Sequence, residues 1–258
     1  MALAKAVGDP LAENFSADNF AQYRTQRLSE GVTASNLNRE QQYLKAVYNE
    51  LERLDYWKKG NPLAKVRAFK IPEREMKFLT AEEMDALLAT LPLGRNKHVM
   101  LISKICLATG ARWSEAEELR IGQLRGGTIQ YARTKSGKTR AVPIAKDLEA
   151  EIREHHRVHG SGDQIFAPAW SAFREGIERA QIALPDGQMT HVLRHTFASH
   201  FMMGGGNILA LQRILGHSSL TMTMRYAHLA PDHLQEAVNL NPLALLARRL
   251  SHAKVDPA

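Results

Sequence analysis

The sequence predicts a mainly α-helical chain with one small β-hairpin, divided into a short helical bundle and a larger α+β domain. Three observations support this. Phe15, Phe20, Tyr23, Leu28, Leu37, Tyr43, Leu44, Val47, Leu51 and Leu54 return mostly at three- and four-residue spacings, as on the buried stripe of a helix. Residues 128–133 (Thr-Ile-Gln-Tyr-Ala-Arg) and 139–144 (Thr-Arg-Ala-Val-Pro-Ile) flank Lys135-Ser136-Gly137-Lys138 as two strands flank a turn. Between the two patterns, residues 61 to 77 carry Pro62, Pro72 and five Lys or Arg without periodicity, which reads as an extended basic connector.

Each element has a local cause. The bundle's last helix is expected to stop at Lys58-Lys59-Gly60-Asn61-Pro62, because Pro62 pushes the residue before it out of the helical region. The boundary is placed near Ile71, giving a first domain over 1–72 and a second over 73–231. Thr80-Ala81-Glu82-Glu83 opens the second domain as a capping box, in which the Thr hydroxyl and the Glu carboxylate satisfy each other's exposed backbone donors. An apolar helix ends at Gly110, and Ser114 with Glu117 is expected to cap the next. Thr190 is expected to cap a helix bearing His191 and Arg194, and Ser218 or Ser219 one bearing Tyr226. Residues 232–258, including the apolar stretch from Leu240 to Arg249, form a tail.

Composition bounds the function. Of 258 residues, 44% are hydrophobic and 24% charged, ordinary globular usage that argues against a disordered or fibrous chain. A net charge of +7 and a pI of about 9.6 fit a polyanionic partner, since neutralised phosphates release counterions. Residues 1 to 72 hold eleven Lys or Arg and eight acids, so +3 lies there and +4 in the remainder. The single cysteine, Cys106, sits in an apolar run and is read as a buried thiol; no disulfide framework can form. Neither a signal peptide nor an apolar run of about 18 residues is seen, so a cytoplasmic location away from membranes is expected.

Seven polar residues carry possible chemistry. Arg112 follows the Gly110 turn, where its planar fork could grip phosphate oxygens or pair with a carboxylate such as Glu115. Lys135 and Lys138 both lie at the hairpin tip, where a lysine can reach into a cleft or stay solvated; composition does not choose between them. His191 and Arg194 stand three apart on one helical face, near a helix start that favours an anion. His217 sits in Gly216-His217-Ser218, before the stretch reaching Tyr226. Taken singly, each has an ordinary structural reading. Glu154-His155-His156-Arg157-Val158-His159 spaces two histidines one turn apart, compatible with a metal, but no further ligand pair accompanies it; it is read as a solvated helix, with no metal site.

As a set, arriving in one order, these residues have a precedent. Ala108-Thr-Gly-Ala-Arg-Trp-Ser-Glu115, Thr134-Lys-Ser-Gly-Lys-Thr-Arg-Ala-Val-Pro-Ile144, His191-Val-Leu-Arg-His-Thr-Phe-Ala-Ser-His200 and Leu215-Gly-His-Ser-Ser219 running on to Arg225-Tyr-Ala-His228 resemble the tyrosine recombinase, or phage integrase, family. The resemblance spans residues 78 to 230. It implies that Tyr226 is the nucleophile, that Arg112, His191, Arg194 and His217 activate the phosphate, and that Lys135, rather than Lys138, is the hairpin lysine. It also implies a core-type DNA-binding domain in residues 1–72, to which Asn36-Leu-Asn-Arg39 and Asn61-Pro-Leu63 add less specific support. Many phage integrases carry a further amino-terminal domain for arm-type sites, for which these 72 residues leave no room; either a simpler recombinase or a missing natural amino terminus is expected.

The chemistry implied is strand exchange on double-stranded DNA recombination sites. A phenol attacking a phosphodiester builds negative charge on the non-bridging oxygens, which two guanidiniums bind more strongly in the transition state. With an unperturbed pKa of about 10, the phenol needs a base, a role given to His191, while Lys135 protonates the leaving sugar oxygen. The product is a 3′-phosphotyrosine whose bond conserves energy for religation, so no cofactor is expected. Integration or excision of a mobile element such as a phage is the expected task, by a homotetramer on paired sites whose 232–258 tails exchange between subunits, with accessory DNA-bending proteins possible. The rivals are a type IB topoisomerase and a catalytically silent DNA-binding regulator.

Overall fold

The computed structural model describes residues 2–8, 10–71, 76–131, 139–189, 191–231 and 242–243. The chain divides into two compact units, Met1–Glu75 and Met76–Ala258. Helix predominates in both, as expected, and the strands are confined to the second.

The first unit is built on α1 (Ala2–Val7), α2 (Ala17–Ser29) and α3 (Ala34–Arg53). Reciprocal capping starts α2: the Ser16 hydroxyl accepts the Asn19 N–H at 3.2 Å while the Asn19 carboxamide oxygen accepts the Ser16 N–H at 2.9 Å. The core is Phe15, Phe20, Tyr23, Leu37, Tyr48 and Leu63. On α3 the inward stripe is therefore Leu37, Gln41, Leu44 and Tyr48, while Tyr43 and Val47 face solvent. Two apolar rows run along one helix, and spacing alone merges them. Helix α3 also stops at Arg53, before the Lys58–Pro62 breaker.

The expected extended connector is half absorbed into this unit. Leu63 is fully buried, Val66 and Phe69 pack on the core, and polar side chains of α2 and α3 fasten the backbone between them. Asn38 both donates to the Phe69 carbonyl (2.9 Å) and accepts its N–H (2.8 Å), Gln41 donates to the Val66 carbonyl (2.7 Å), and Arg24 donates to that of Arg67 (2.9 Å) while lying 4.4 Å over the Phe69 ring. Composition marked residues 61–77 as linker because it cannot register such long-range backbone bonds.

The second unit comprises α4 (Ala81–Thr90), α5 (Val99–Thr109), α6 (Trp113–Glu117), a small sheet, α7 (Lys146–His159), α8 (Trp170–Arg179), α9 (Val192–Met203), α10 (Ile208–Leu215) and α11 (Thr221–Met224). The Thr80–Glu83 capping box forms as predicted. The sheet runs antiparallel in the order β1 (Leu124–Arg125), β2 (Thr128–Tyr131), β3 (Arg140–Pro143). Register pairs Ile129 with Val142, both buried, and Tyr131 with Arg140. Strand β1 was not predicted, since two residues carry no periodicity.

At the centre, α5 and α9 pack against each other. Helix α5 is buried on most of its faces, the pattern of a core helix. Its hydroxyls are satisfied within the helix: Ser103 donates to the Val99 carbonyl at 2.8 Å and Thr109 to that of Ile105 at 2.7 Å. Cys106 is buried there, as expected, and burial raises its thiol pKa. Gly110 ends α5 in the left-handed region at φ 65°. A Cβ at this position would lie 2.5 Å from Phe197 Cδ1 and 2.7 Å from Leu215 Cδ2.

Gly110→Ala is therefore expected to destabilise the chain by about 2–4 kcal/mol, combining left-handed strain with overpacking. Urea denaturation reads this directly, with Gly122→Ala, whose new Cβ meets nothing within 4 Å, as the control. Equal midpoints for the two variants would refute the assignment.

Candidate active site

Arg194 is the residue around which the others gather. Helix α9 carries it into the interior, where it is 5% exposed. One terminal nitrogen donates to the Gly110 carbonyl at 2.7 Å and the other to the Leu215 carbonyl at 2.7 Å. Those carbonyls close α5 and α10, both ended by left-handed glycines, Gly110 and Gly216. Helix carboxyl ends carry unpaired carbonyls and partial negative charge, so a guanidinium answers two needs at once. Burial, then Arg112 and Arg140, lowers its pKa to about 10, which leaves it cationic at neutral pH.

Arg112 lies beside it through a second anchor. The structure makes Arg112 itself the N-cap of α6, with Glu115 at the third helical position accepting the Arg112 N–H at 2.9 Å. The predicted Ser114–Glu117 cap does not form. Ser114 is already inside α6, and Glu117 instead accepts the Ala169 N–H at 2.7 Å. Glu115 also pairs with the Arg112 guanidinium (2.9 Å) and takes a two-pronged bond from Arg140 on β3 (3.1 and 2.6 Å). Burial pushes the Glu115 carboxyl up, but hydrogen bonds from Arg140 and the Arg112 backbone, with both guanidinium charges, bring it down to about 2. Arg140 further lies 4.4 Å over the Tyr131 ring, whose hydroxyl is 2.8 Å from Thr109. Arg112 keeps the more open position, its side chain 36% exposed.

The imidazoles and the phenol complete the group. His217 follows Gly216, its Nδ1 2.9 Å from the Thr223 hydroxyl. Burial, then Arg194, Arg112, Arg225 and Arg140, lowers its pKa to about 4. His191 is the N-cap of α9 and reaches solvent, yet enough protein surrounds its ring, with Arg194 and Arg112 near, to hold its pKa below the ordinary value. Tyr226 does not lie on a helix, contrary to expectation: α11 is only four residues long, and Tyr226 stands after it, at the start of the 3-10 turn Ala227–Leu229. It is 1% exposed, packed with Ala198, Met202, Leu211 and Leu215. Its hydroxyl is 2.7 Å from Nδ1 of His195. Burial raises its pKa while Arg194 and Arg225 oppose the rise.

Arg112, His191, Arg194, His217 and Tyr226 thus converge. Lys135, like Lys138 and the predicted cap Thr190, lies outside the described residues. Three partners escaped the sequence reading as functional groups: Glu115, considered only as an ordinary ion-pair partner, Arg140 and His195. The signal for His195 was available, since it stands one turn beyond His191. That for Arg140 was not, because its contact with Glu115 spans 25 residues.

Glu154, Arg157, Val158 and His159 of α7 are solvent-exposed, as a solvated helix requires, but His155 departs from that reading. His155 is half-buried, its Nε2 2.9 Å from Nδ1 of His98, with His159 and Phe166 against it. Among the described residues, no three His, Cys, Asp or Glu side chains come together to hold a metal ion.

Two outcomes follow. His155, His195 and His217 each have a pKa of about 4 against an ordinary 6.5, so between these values the unfolded chain binds more protons. Stability is then full above pH 6.5 and lost as pH falls toward 4; a melting temperature constant over this window would contradict it. Glu115→Gln leaves Arg140 buried with a weakened partner and should cost about 1–3 kcal/mol by urea denaturation, with an unchanged midpoint as the contrary result.

Residues 1–70 match the phage integrase N-terminal domain and residues 77–233 the phage integrase family. The chain is 48% identical over 248 residues to the integrase of Escherichia phage 186, covering 93% of this chain and 72% of that protein. The catalytic domain of bacteriophage HP1 integrase superposes with a TM-score of 0.62 at 50% identity, over 66% of this chain and 98% of that one. A lambda integrase (75–356) dimer bound to a COC′ core site shares the fold, with a TM-score of 0.72 at 19% identity over 91% of this chain and 86% of that one. With one family model spanning more than half of its residues and a relative nearly half identical along most of its length, the chain belongs to the phage integrase family of tyrosine recombinases, site-specific enzymes that break and rejoin DNA.

Proposed function

We propose that this recombinase cuts each strand through Tyr226, leaving a 3′-phosphotyrosine and a free 5′ hydroxyl. One observation carries the reading. Arg194 is held between the ends of α5 and α10; Arg112 follows the first end by two residues, His217 the second by two, His191 precedes Arg194 by three and Tyr226 packs on Leu215, so a phosphate drawn to that guanidinium is offered the other four side chains. Arg194 offers five donors, of which two are fixed on helix-end carbonyls, and the rest suit a phosphate's oxygens. Arg112, held by Glu115 yet partly open, supplies the second guanidinium, and His217, anchored through Nδ1, turns Nε2 toward an oxygen of the phosphate. Lys135 protonates the leaving sugar oxygen on this reading. Two guanidiniums bind the pentavalent phosphorane more tightly than the ground-state diester, which lowers the barrier.

Residues 1–72 serve as the core-type DNA-binding domain, and basic charge in both units follows the DNA backbone. Paired double-stranded sites bring four subunits together, accessory DNA-bending proteins assist, and the 232–258 tail, outside the described residues but for 242–243, docks on a neighbour. The chain acts on phage or similar mobile DNA in the cytoplasm. No described helix is long and apolar enough to cross a membrane.

The test is a nicked duplex carrying the candidate site, incubated with the protein in EDTA. A denaturant-resistant protein–DNA adduct is expected, and Tyr226→Phe abolishes it. A silent regulator gives no adduct at all, and a topoisomerase gives one on many sequences without joining two cognate sites.

A further inference from the structure

We propose that His195 is the group that takes the proton from Tyr226 as the phenol attacks, and returns it when the strand is religated. This rests on the reading of Tyr226 as nucleophile. Among the described residues, the hydrogen-bond partner of the Tyr226 hydroxyl is His195, whose Nδ1 lies 2.7 Å away. His191, the family-position imidazole, sits at the exposed start of α9 with its ring centre 6.0 Å from that of His195. A proton acceptor must lie within hydrogen-bond reach of the proton it removes, and His195 meets that condition. Its place is fixed by the helix: it directly follows Arg194, whose guanidinium is locked between two helix ends, so phosphate anchor and acceptor move as one body.

The charged groups facing His195 are His191 and Arg194 from α9, and Arg225 and Tyr226 from the segment after α11. Burial and these cations hold the ring neutral, so with its proton on Nε2 the lone pair of Nδ1 points at the phenol. A bound phosphodiester offsets the repulsion of Arg194 and Arg225 and raises the basicity of the ring as attack begins. The step balances. The Tyr226 O–H breaks toward Nδ1 as the Tyr226 oxygen bonds to phosphorus; the bond from phosphorus to the 5′ oxygen breaks; and that oxygen takes a proton from the general acid. In reverse, the Nδ1 proton returns to the departing phenolate.

A pool of nicked duplexes with randomised cores, offered to the full chain in EDTA, provides the probe. Duplexes captured as denaturant-resistant adducts are recovered and used with each variant. Should wild type capture none, or Tyr226→Phe capture as many, the nucleophile reading falls and this one with it. Given capture by wild type alone, His195→Gln should slow adduct formation roughly 10²–10⁴-fold with duplex affinity and melting temperature retained, and should erase the acid limb of the wild-type pH–rate profile. His195→Ala should be equally slow and recover as imidazole is added. The idea is overturned by a His195→Gln rate and acid limb matching wild type, by an acid limb lost in His191→Gln but kept in His195→Gln, or by slowing that tracks lost thermal stability and resists imidazole.

Discussion

The second unit depends on one buried guanidinium. Arg194 ties the carboxyl ends of α5 and α10 to α9, and each of its two carbonyl bonds answers a helix end that would otherwise be buried without a donor. The left-handed glycines at 110 and 216 are what allow those ends to meet: a side chain at 110 would strike Phe197 and Leu215, and one at 216 would crowd Arg140. Burying a charge is costly unless it is hydrogen-bonded, so this arginine is at once a structural bolt and the positive centre of the site.

Charge balance around it explains the protonation states. Among the described residues, Arg112, Arg140, Arg194 and Arg225 act on the site against the carboxylate of Glu115, which is itself bound by two of them. Burial, reinforced by nearby cations, keeps His217 and His195 neutral at physiological pH, and the positive excess favours an anion between the guanidiniums. Tyr226 shares the field but is buried, and burial outweighs the cations, so its phenol stays protonated until a base acts. His195, Tyr226 and Arg194 are thereby held in the protonation states that the proposed reaction needs before DNA arrives.

Much of this was legible in order along the chain. The Thr80–Glu83 box, the stop at Gly110 and the β2–β3 hairpin were read from neighbours within a few residues, because capping and turn chemistry act over that range. Errors arose where local rules competed. Ser114 and Glu117 satisfied a capping pattern, yet Glu115 lay closer to the cations that needed it. Tyr43 and Val47 matched helical spacing, yet the bundle buried the adjacent face of α3.

By itself the sequence determined helical content and, through the ordered motifs from Arg112 to Tyr226, family membership. These depend on short-range spacing and residue type. Only the tertiary structure decided that Glu115 clamps two arginines, that Arg194 caps two helices, and that the Tyr226 phenol meets His195 rather than His191. Apart from Arg112 and Glu115, three residues apart and pairable by local spacing, those pairings join residues 21 to 84 positions apart, a separation over which helical period carries no information and packing alone selects the partner.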